Sequence, residues 1–327
     1  MSTRRPPTAC PPRAQHGAAL LLAMLVLTLV ATLAAGMVWQ QQRAVQIETA
    51  ERARTQAAWI LSGALDWARL ILREDARTGG ADHLAEPWAV PLAEARLSTF
   101  LAADRDNSAE GTLEAFLSGT IVDAQSRYNL RNLLDPEGKV LPAELAALQR
   151  LCDGVGAAQG TAARIAEGLA AVFGAATTGT TNAELPLAPR RVEQLVWLGV
   201  DAASARALGA VLTLLPQRSA LNLNTASAAV LAAVIEGLDA GSAERLVSTR
   251  ERTPFRSVAE AQTLLPQTLS LEGGRVGVAS NVFEVSGRLR LDDRVLEEHS
   301  LVERRGQGGG TEVVVLWRER RSAGATP

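Results

Sequence analysis

The sequence predicts an α+β chain. A long N-terminal helix crosses a membrane and continues as a stem packed on a soluble domain, in which a helical stretch lies between two strand-forming stretches. Three observations carry this. Residues 18–42 hold no charged side chain. Residues 142–215 are rich in Ala and Leu at helical spacing, with further helices over 219–266, and residues 113–122 and 282–318 read as strands. The divisions that follow are a basic leader (1–17), a transmembrane segment (18–42), the stem and first strands (43–134), a helical region (135–275), C-terminal strands (276–318) and a tail (319–327).

The apolar run contains only Ala, Leu, Val, Met, Thr and one Gly over residues 18–38. As a helix that is roughly 31 Å, enough to cross a bilayer core. Arg4, Arg5 and Arg13 precede it and favour a cytoplasmic N-terminus. The helix is predicted to run on to about residue 75. Ala50, Ala53, Ala57, Ile60, Ala64, Ala68 and Ile71 recur at three or four residues, and Glu48 and Arg52 are spaced as an i,i+4 pair. Trp59 and Trp67, eight apart, are expected to anchor this stem in the core.

Residues 79–111 read as a polar connector. Its run Asp104–Glu110 lacks the glycine and the bidentate glutamate of a calcium loop and is taken as a solvated turn. A strand near 113–122 leads to a turn at Asp123–Ser126 and a short strand into Asn129. Helices are predicted from Pro142 to about Gly154, over Thr161–Phe173, Arg190–Leu198 and Ala202–Leu215, with a low-complexity loop at 174–182. Asn224 or Thr225 is expected to cap the next helix, whose buried stripe is Val230, Leu231, Val234 and Ile235. A helix over Ala243–Glu251 and a start capped by Ser257 follow. Val282–Leu291 alternates, Asp292-Asp293 turns, Val295–Glu303 returns, and Glu312–Arg318 is the last strand after a flexible Gly306–Gly310 loop.

Composition excludes several classes. The net charge of −2 does not suit a general polyanion binder. Cys10 lies in the leader, so after its removal Cys152 has no partner for a disulfide. His16, His83 and His299 are scattered, and there is no nucleophile elbow, zinc spacing or phosphate loop. Glu297 and Glu298 point to opposite faces of a strand. No enzyme activity is expected.

The junction His16-Gly17-Ala18 resembles a type IV prepilin leader, which a membrane peptidase cuts after the glycine while the helix is retained. Most prepilins carry Glu at the fifth residue after the cut. Here that position is Leu22, and such an absence is usual in the minor pseudopilin K family of type II secretion. The stretch Ser118-Gly-Thr-Ile-Val-Asp-Ala-Gln-Ser-Arg-Tyr-Asn-Leu-Arg-Asn-Leu-Leu134 closely resembles that family's G-x-I-x-D-x-Q-x-R-[FY]-N-L-N-x-L signature through Asp123, Gln125, Arg127 and Asn129. Arg131 replaces the second signature Asn. A third block, with Asn222, Asn224, Thr225 and Ala226 and then Pro254-Phe255-Arg-Ser257, follows a pattern shared by the same family and by helix-hairpin-helix DNA-binding modules.

The resemblance implies an α+β pseudopilin domain with an inserted helix-hairpin-helix or SAM-like domain. The signature residues have a structural role in it. It implies a non-enzymatic subunit at the tip of the pseudopilus, acting with minor pseudopilins I and J, a major pseudopilin filament and a prepilin peptidase in export of folded proteins. The anchor would be single-pass in the inner membrane, with the C-terminal bulk in the periplasm. The family ligates calcium through an acidic loop; here Glu184 is the only acid in the corresponding loop, so no metal ligand is carried over and no cofactor is expected.

Two other readings remain open. One is a plain anchored scaffold. The other is a membrane-anchored helix-hairpin-helix protein of DNA uptake. Against the latter, the turn Gly237-Leu238-Asp239 lacks the second glycine, and residues 220–266 hold four Arg against five acids. No nucleic acid is expected as a partner.

Overall fold

The computed structural model describes residues 16–97, 115–178, 186–271, 273–291, 294–306 and 310–323. The leader residues 1–15, the Asp104–Glu110 run and the Asp292-Asp293 turn lie outside them. The chain divides into two compact units, Met1–Ala58 and Trp59–Pro327.

The first unit is the N-terminal part of helix α1 (His16–Thr78). Among the described residues α1 is the one helix long and apolar enough to cross a membrane. Its threonines are tolerated because Thr28 and Thr32 donate their hydroxyls back to the Leu25 and Leu29 carbonyls, 2.9 Å each. At the end of the apolar run Arg43 lies over the Trp39 ring at 5.5 Å, an aromatic–cation pair of the kind found at membrane interfaces. Glu48 and Arg52 form the predicted pair.

The second unit begins with the stem, Trp59 onward. Its buried stripe is Leu61, Leu65, Ala68 and Leu72, against Phe283, Val285, Val302 and Val313 of the sheet. Trp59 and Trp67 do not anchor it: they are 75% and 51% exposed. Trp59 is two residues from Leu61, roughly 200° round the helix, and so looks away from the sheet. The buried indole is Trp88, 1% exposed, edge-on to Phe283 at 5.1 Å, with its N–H donated to Glu86 at 2.7 Å. Gly287 permits the close approach, since a Cβ there would stand 3.2 Å from the Leu61 side chain.

The sheet has five antiparallel strands in the order β1-β2-β7-β8-β9. These are β1 (Leu92–Arg96), β2 (Ala115–Asp123), β7 (Val282–Leu291), β8 (Arg294–Arg305) and β9 (Glu312–Ala323). Strand β1 falls inside the expected connector and forms an edge, with a bulge between Leu92 and Ala95. The short strand β3 (Tyr128–Asn129) is not part of this sheet. It pairs in parallel with β4 (Leu212–Thr213).

Most of the described residues between β3 and β6 (Val276–Gly277) surround a separate apolar core that includes Leu130, Leu148, Ile165, Leu195, Leu231 and Phe255. Its helices are α2 (Pro142–Gly154), α3 (Thr161–Thr178), α4 (Ala202–Leu208), α5 (Ala228–Val234), α6 (Ala240–Arg252) and α7 (Val258–Gln262). Residues Val192–Leu198 form a 3₁₀ segment. The helix expected to reach Leu215 stops at Leu208. Val211, Leu212, Leu214 and Leu215 are all buried, and a short apolar run of that kind does not distinguish helix from strand. Neither Asn224 nor Thr225 caps α5; Ser227 does, its hydroxyl accepting from the Val230 N–H. Ser257 caps α7.

Candidate interaction site: a buried polar lock between sheet and insertion

The signature residues converge where the insertion leaves and rejoins the sheet. Asp123, 1% exposed, ends β2. One carboxylate oxygen accepts the Gln125 N–H at 2.7 Å, which tightens the chain into a 3₁₀ turn. The other accepts from the Asn222 amide (3.0 Å), the Thr225 hydroxyl (2.5 Å) and the Ser280 hydroxyl (2.6 Å). Burial pushes the Asp123 carboxyl above the usual range, and these donors pull it back.

Asn222, on β5 (Leu221–Asn222), is the crossing point. Its amide also reaches the Asp82 carbonyl at 3.1 Å, and its oxygen accepts the Asn224 N–H at 2.9 Å. Asn224 clamps Phe255, accepting its N–H and donating to its carbonyl, 2.9 Å each. Gln125 accepts the Asn281 N–H (2.7 Å) and donates to Ala220 (3.0 Å). Asn129 accepts from Arg131 and Leu215 and donates to the Gln217 carbonyl at 2.7 Å. Arg127 pairs with Glu284 at 2.5 Å, and Ala226 is fully buried. These polar residues supply partners to backbone that no regular ladder satisfies.

Gly17 and Ala18 lie in the first turn of α1, and Leu22 on the same helix is 67% exposed. They are remote in sequence from the lock.

Sequence reasoning missed the other half of the site. Asp82 accepts the Ser280 N–H at 2.6 Å, and Arg304 of β8 pairs with Asp82 (2.5 Å) and Asp75 (3.1 Å). Glu86 brings a third carboxylate within 4.8 Å of the two aspartates. Arg304 also lies over Phe283 at 4.3 Å. Burial, then the negative charge of Glu86, raise the Asp75 carboxyl to about 6 against the pull of Arg304; burial raises Asp82 as well. The cation that this acidic group holds within the fold is Arg304. Its only sequence signal was a basic residue near the end of an alternating strand.

The helical hairpin bears on DNA binding. Gly237 has a positive φ of 78°, and Asp239 caps α6 by accepting from both the N–H and the hydroxyl of Ser242. A carboxylate therefore occupies the helix N-terminus that would receive a phosphate.

Comparison with known proteins follows the same segments. Two family models, each described as type II secretion system protein K, match residues 126–217 and 221–285. The type II secretion system protein K of Pseudomonas aeruginosa is 32% identical over 307 residues, 86% of each chain. The chain belongs to the type II secretion system protein K family. The family protein from Klebsiella pneumoniae is 27% identical, covering 90% of this chain and 94% of its own. In the crystal structure of the GspK-GspI-GspJ complex from enterotoxigenic Escherichia coli, one chain matches with a TM-score of 0.62 at 20% identity, over 84% of this chain and 99% of that one. This family member is a minor pseudopilin of the type II secretion system, and DNA uptake is not favoured.

Proposed function

We propose that the protein caps the tip of the pseudopilus in complex with minor pseudopilins I and J, above a filament of major pseudopilin. A prepilin peptidase cuts between Gly17 and Ala18, and the retained helix is a single-pass inner-membrane anchor with the C-terminal bulk in the periplasm. The subunit works without catalysis and without a bound cofactor, calcium included. The observation that carries this reading is the lock. It ties the inserted helical domain to the sheet through three buried side-chain hydrogen bonds, and a domain of that size held on the sheet would sterically block stacking of a further subunit. The complex that the Escherichia coli chain forms supports the choice of partners. Leu22 fits as well, because a glutamate at lipid level needs a neutralising neighbour, and a subunit bonded on one side only has no need of it.

The test is co-expression with a prepilin peptidase and minor pseudopilins I and J. Mass spectrometry should find a chain starting at Ala18, and I and J should co-purify with it in detergent, with or without a calcium chelator. An intact leader, or I and J that assemble without this chain, overturns the reading. Leu22→Glu should impair tip placement; normal incorporation at internal filament positions would contradict it.

A further inference from the structure

The alternation that turns Val285 and Val302 toward the stem turns Glu284, Leu301 and Trp317, paired across three strands, to the other face. Between that face and the insertion runs a cleft that the tip role leaves unused. It comprises two cavities of about 330 and 340 Å³, which share Arg190, Leu214, Leu301 and Trp317 in their walls. One is polar: Arg127, Arg191 and Arg321 join Arg190 there, against Glu193, Glu284 and Glu319, with His299 beside them. The other is apolar, with Phe173, Pro189 and Leu316 in its walls and no acid among the described residues that line it; its added cation is Arg131. Among the described lining residues arginine therefore outnumbers glutamate: Glu284 pairs with Arg127, and Glu319 with both Arg191 and Arg321.

Two of these guanidiniums are incompletely matched. Arg127 donates Nη1 to the Gly209 carbonyl at 3.3 Å and ion-pairs Nη2 with Glu284, while its buried Nε has no hydrogen-bond acceptor among the described residues. Arg131 stacks on Phe173 at 4.0 Å, and its buried Nη1 has none either. Buried donors of this kind call for an acceptor. Ordinary ligand sites are of this size and makeup, a mostly apolar wall with a few convergent polar groups. A short polypeptide segment supplies what the walls lack: a carboxylate for the arginine-rich end, a main-chain carbonyl for Arg131, and an apolar side chain for the surface made by Trp317 and Phe173.

We propose that this cleft binds a short peptide segment in which an acidic residue adjoins an apolar one. Arg190 takes the carboxylate and Arg131 a main-chain carbonyl. Arg131 stands where the family signature has asparagine, so the ligand preference belongs to this chain rather than to the signature.

Isothermal titration calorimetry on the full chain in detergent, at low salt, tests it with N-acetyl-Phe-Asp-amide and its Asn analogue. The Asp peptide should bind, and the Asn analogue should be at least about tenfold weaker. Arg131→Asn and Arg190→Gln should each weaken the Asp peptide several-fold, and for Arg190→Gln the melting temperature without ligand should stay unchanged. Arg190 is exposed, so its variant keeps the test open if Arg131→Asn folds poorly. N-acetylphenylalanine, whose carboxylate is terminal, distinguishes a chain end from an internal acid as the source. Equal binding of the Asp and Asn peptides, no binding of either, or full affinity in Arg190→Gln overturns the proposal.

Discussion

Two buried acidic groups stand side by side where the insertion joins the sheet, joined through Ser280, and they are stabilised by opposite means. Asp123 is surrounded by neutral donors from four residues on three chain segments. Asp75 and Asp82 share a single guanidinium as counter-charge, with Glu86 adding negative charge nearby, and beyond it Asp82 accepts the Ser280 N–H. A distributed set of hydrogen bonds loses a part when one member is removed. A cluster with one counter-charge loses its whole balance.

The largest effect should therefore come from Arg304→Met. At pH 7.5 it should cost about 3–5 kcal/mol of stability, since one buried and one half-buried carboxylate lose their cation. Much of that loss should be recovered near pH 5, where the acids take up protons. Denaturant titration followed by tryptophan fluorescence measures both, and a loss equal at the two pH values would break the contrast.

Asp123→Ala should cost about 2–4 kcal/mol by leaving Asn222, Thr225, Ser280 and the Gln125 N–H without their acceptor. Asp123→Asn should cost roughly half as much, because the two hydroxyls can rotate to accept from the new amide. If both variants lose the same amount, the charge rather than the donor set holds the site.

The third difference is pH dependence. Asp75 has a folded pKa of about 6, above its unfolded value, so its stabilising contribution is complete below about pH 4 and is lost as pH rises through 6. Asp82 and Asp123 are shifted in the same direction. The capping residues Asp201 and Asp239 are shifted down and act in the opposite sense, with stability lost only as pH falls below the ordinary aspartate range. Melting temperatures should fall between pH 4.5 and 6.5, and Asp75→Asn should flatten that slope. An unchanged slope would remove Asp75 from the account. The smallest effects belong to the stem: Trp59→Ser and Trp67→Ser should each change stability by less than about 0.5 kcal/mol, measured by the same denaturant titration.

The elements legible in the sequence are those with a repeating signal. The uncharged run of α1, the alternation of β7 and β8 and the Ala/Leu helices each depend on neighbours close in the chain. The two-residue pairings of β3 with β4 and of β5 with β6 carry no period at all. Strand β1, Leu-Ala-Glu-Ala-Arg, has low strand propensity and is held by β2 rather than by its own residues. The stem tryptophans misled because spacing fixes a common face without saying which face is buried. At the lock, the Asp, Gln and Asn positions were visible as a motif. Their partners Asp82 and Ser280 were not, because 198 residues separate them.

The position of the lock also orders assembly in time. Asp123 finishes β2, yet Ser280 lies 157 residues further along the chain, and β7 follows it. As the polypeptide is made from its N-terminus, β2 waits without its neighbour while the insertion, with its own apolar core, is synthesised. Compaction of that core draws the two ends of a very long loop together before the sheet closes, and so removes most of the closure entropy from the final step. Until the last strands arrive, β2 has an unpaired edge, the kind that recruits strands from other chains. The subunit is thus most exposed to wrong pairing until β7 reaches β2, and a folded insertion ensures that β7 emerges beside it.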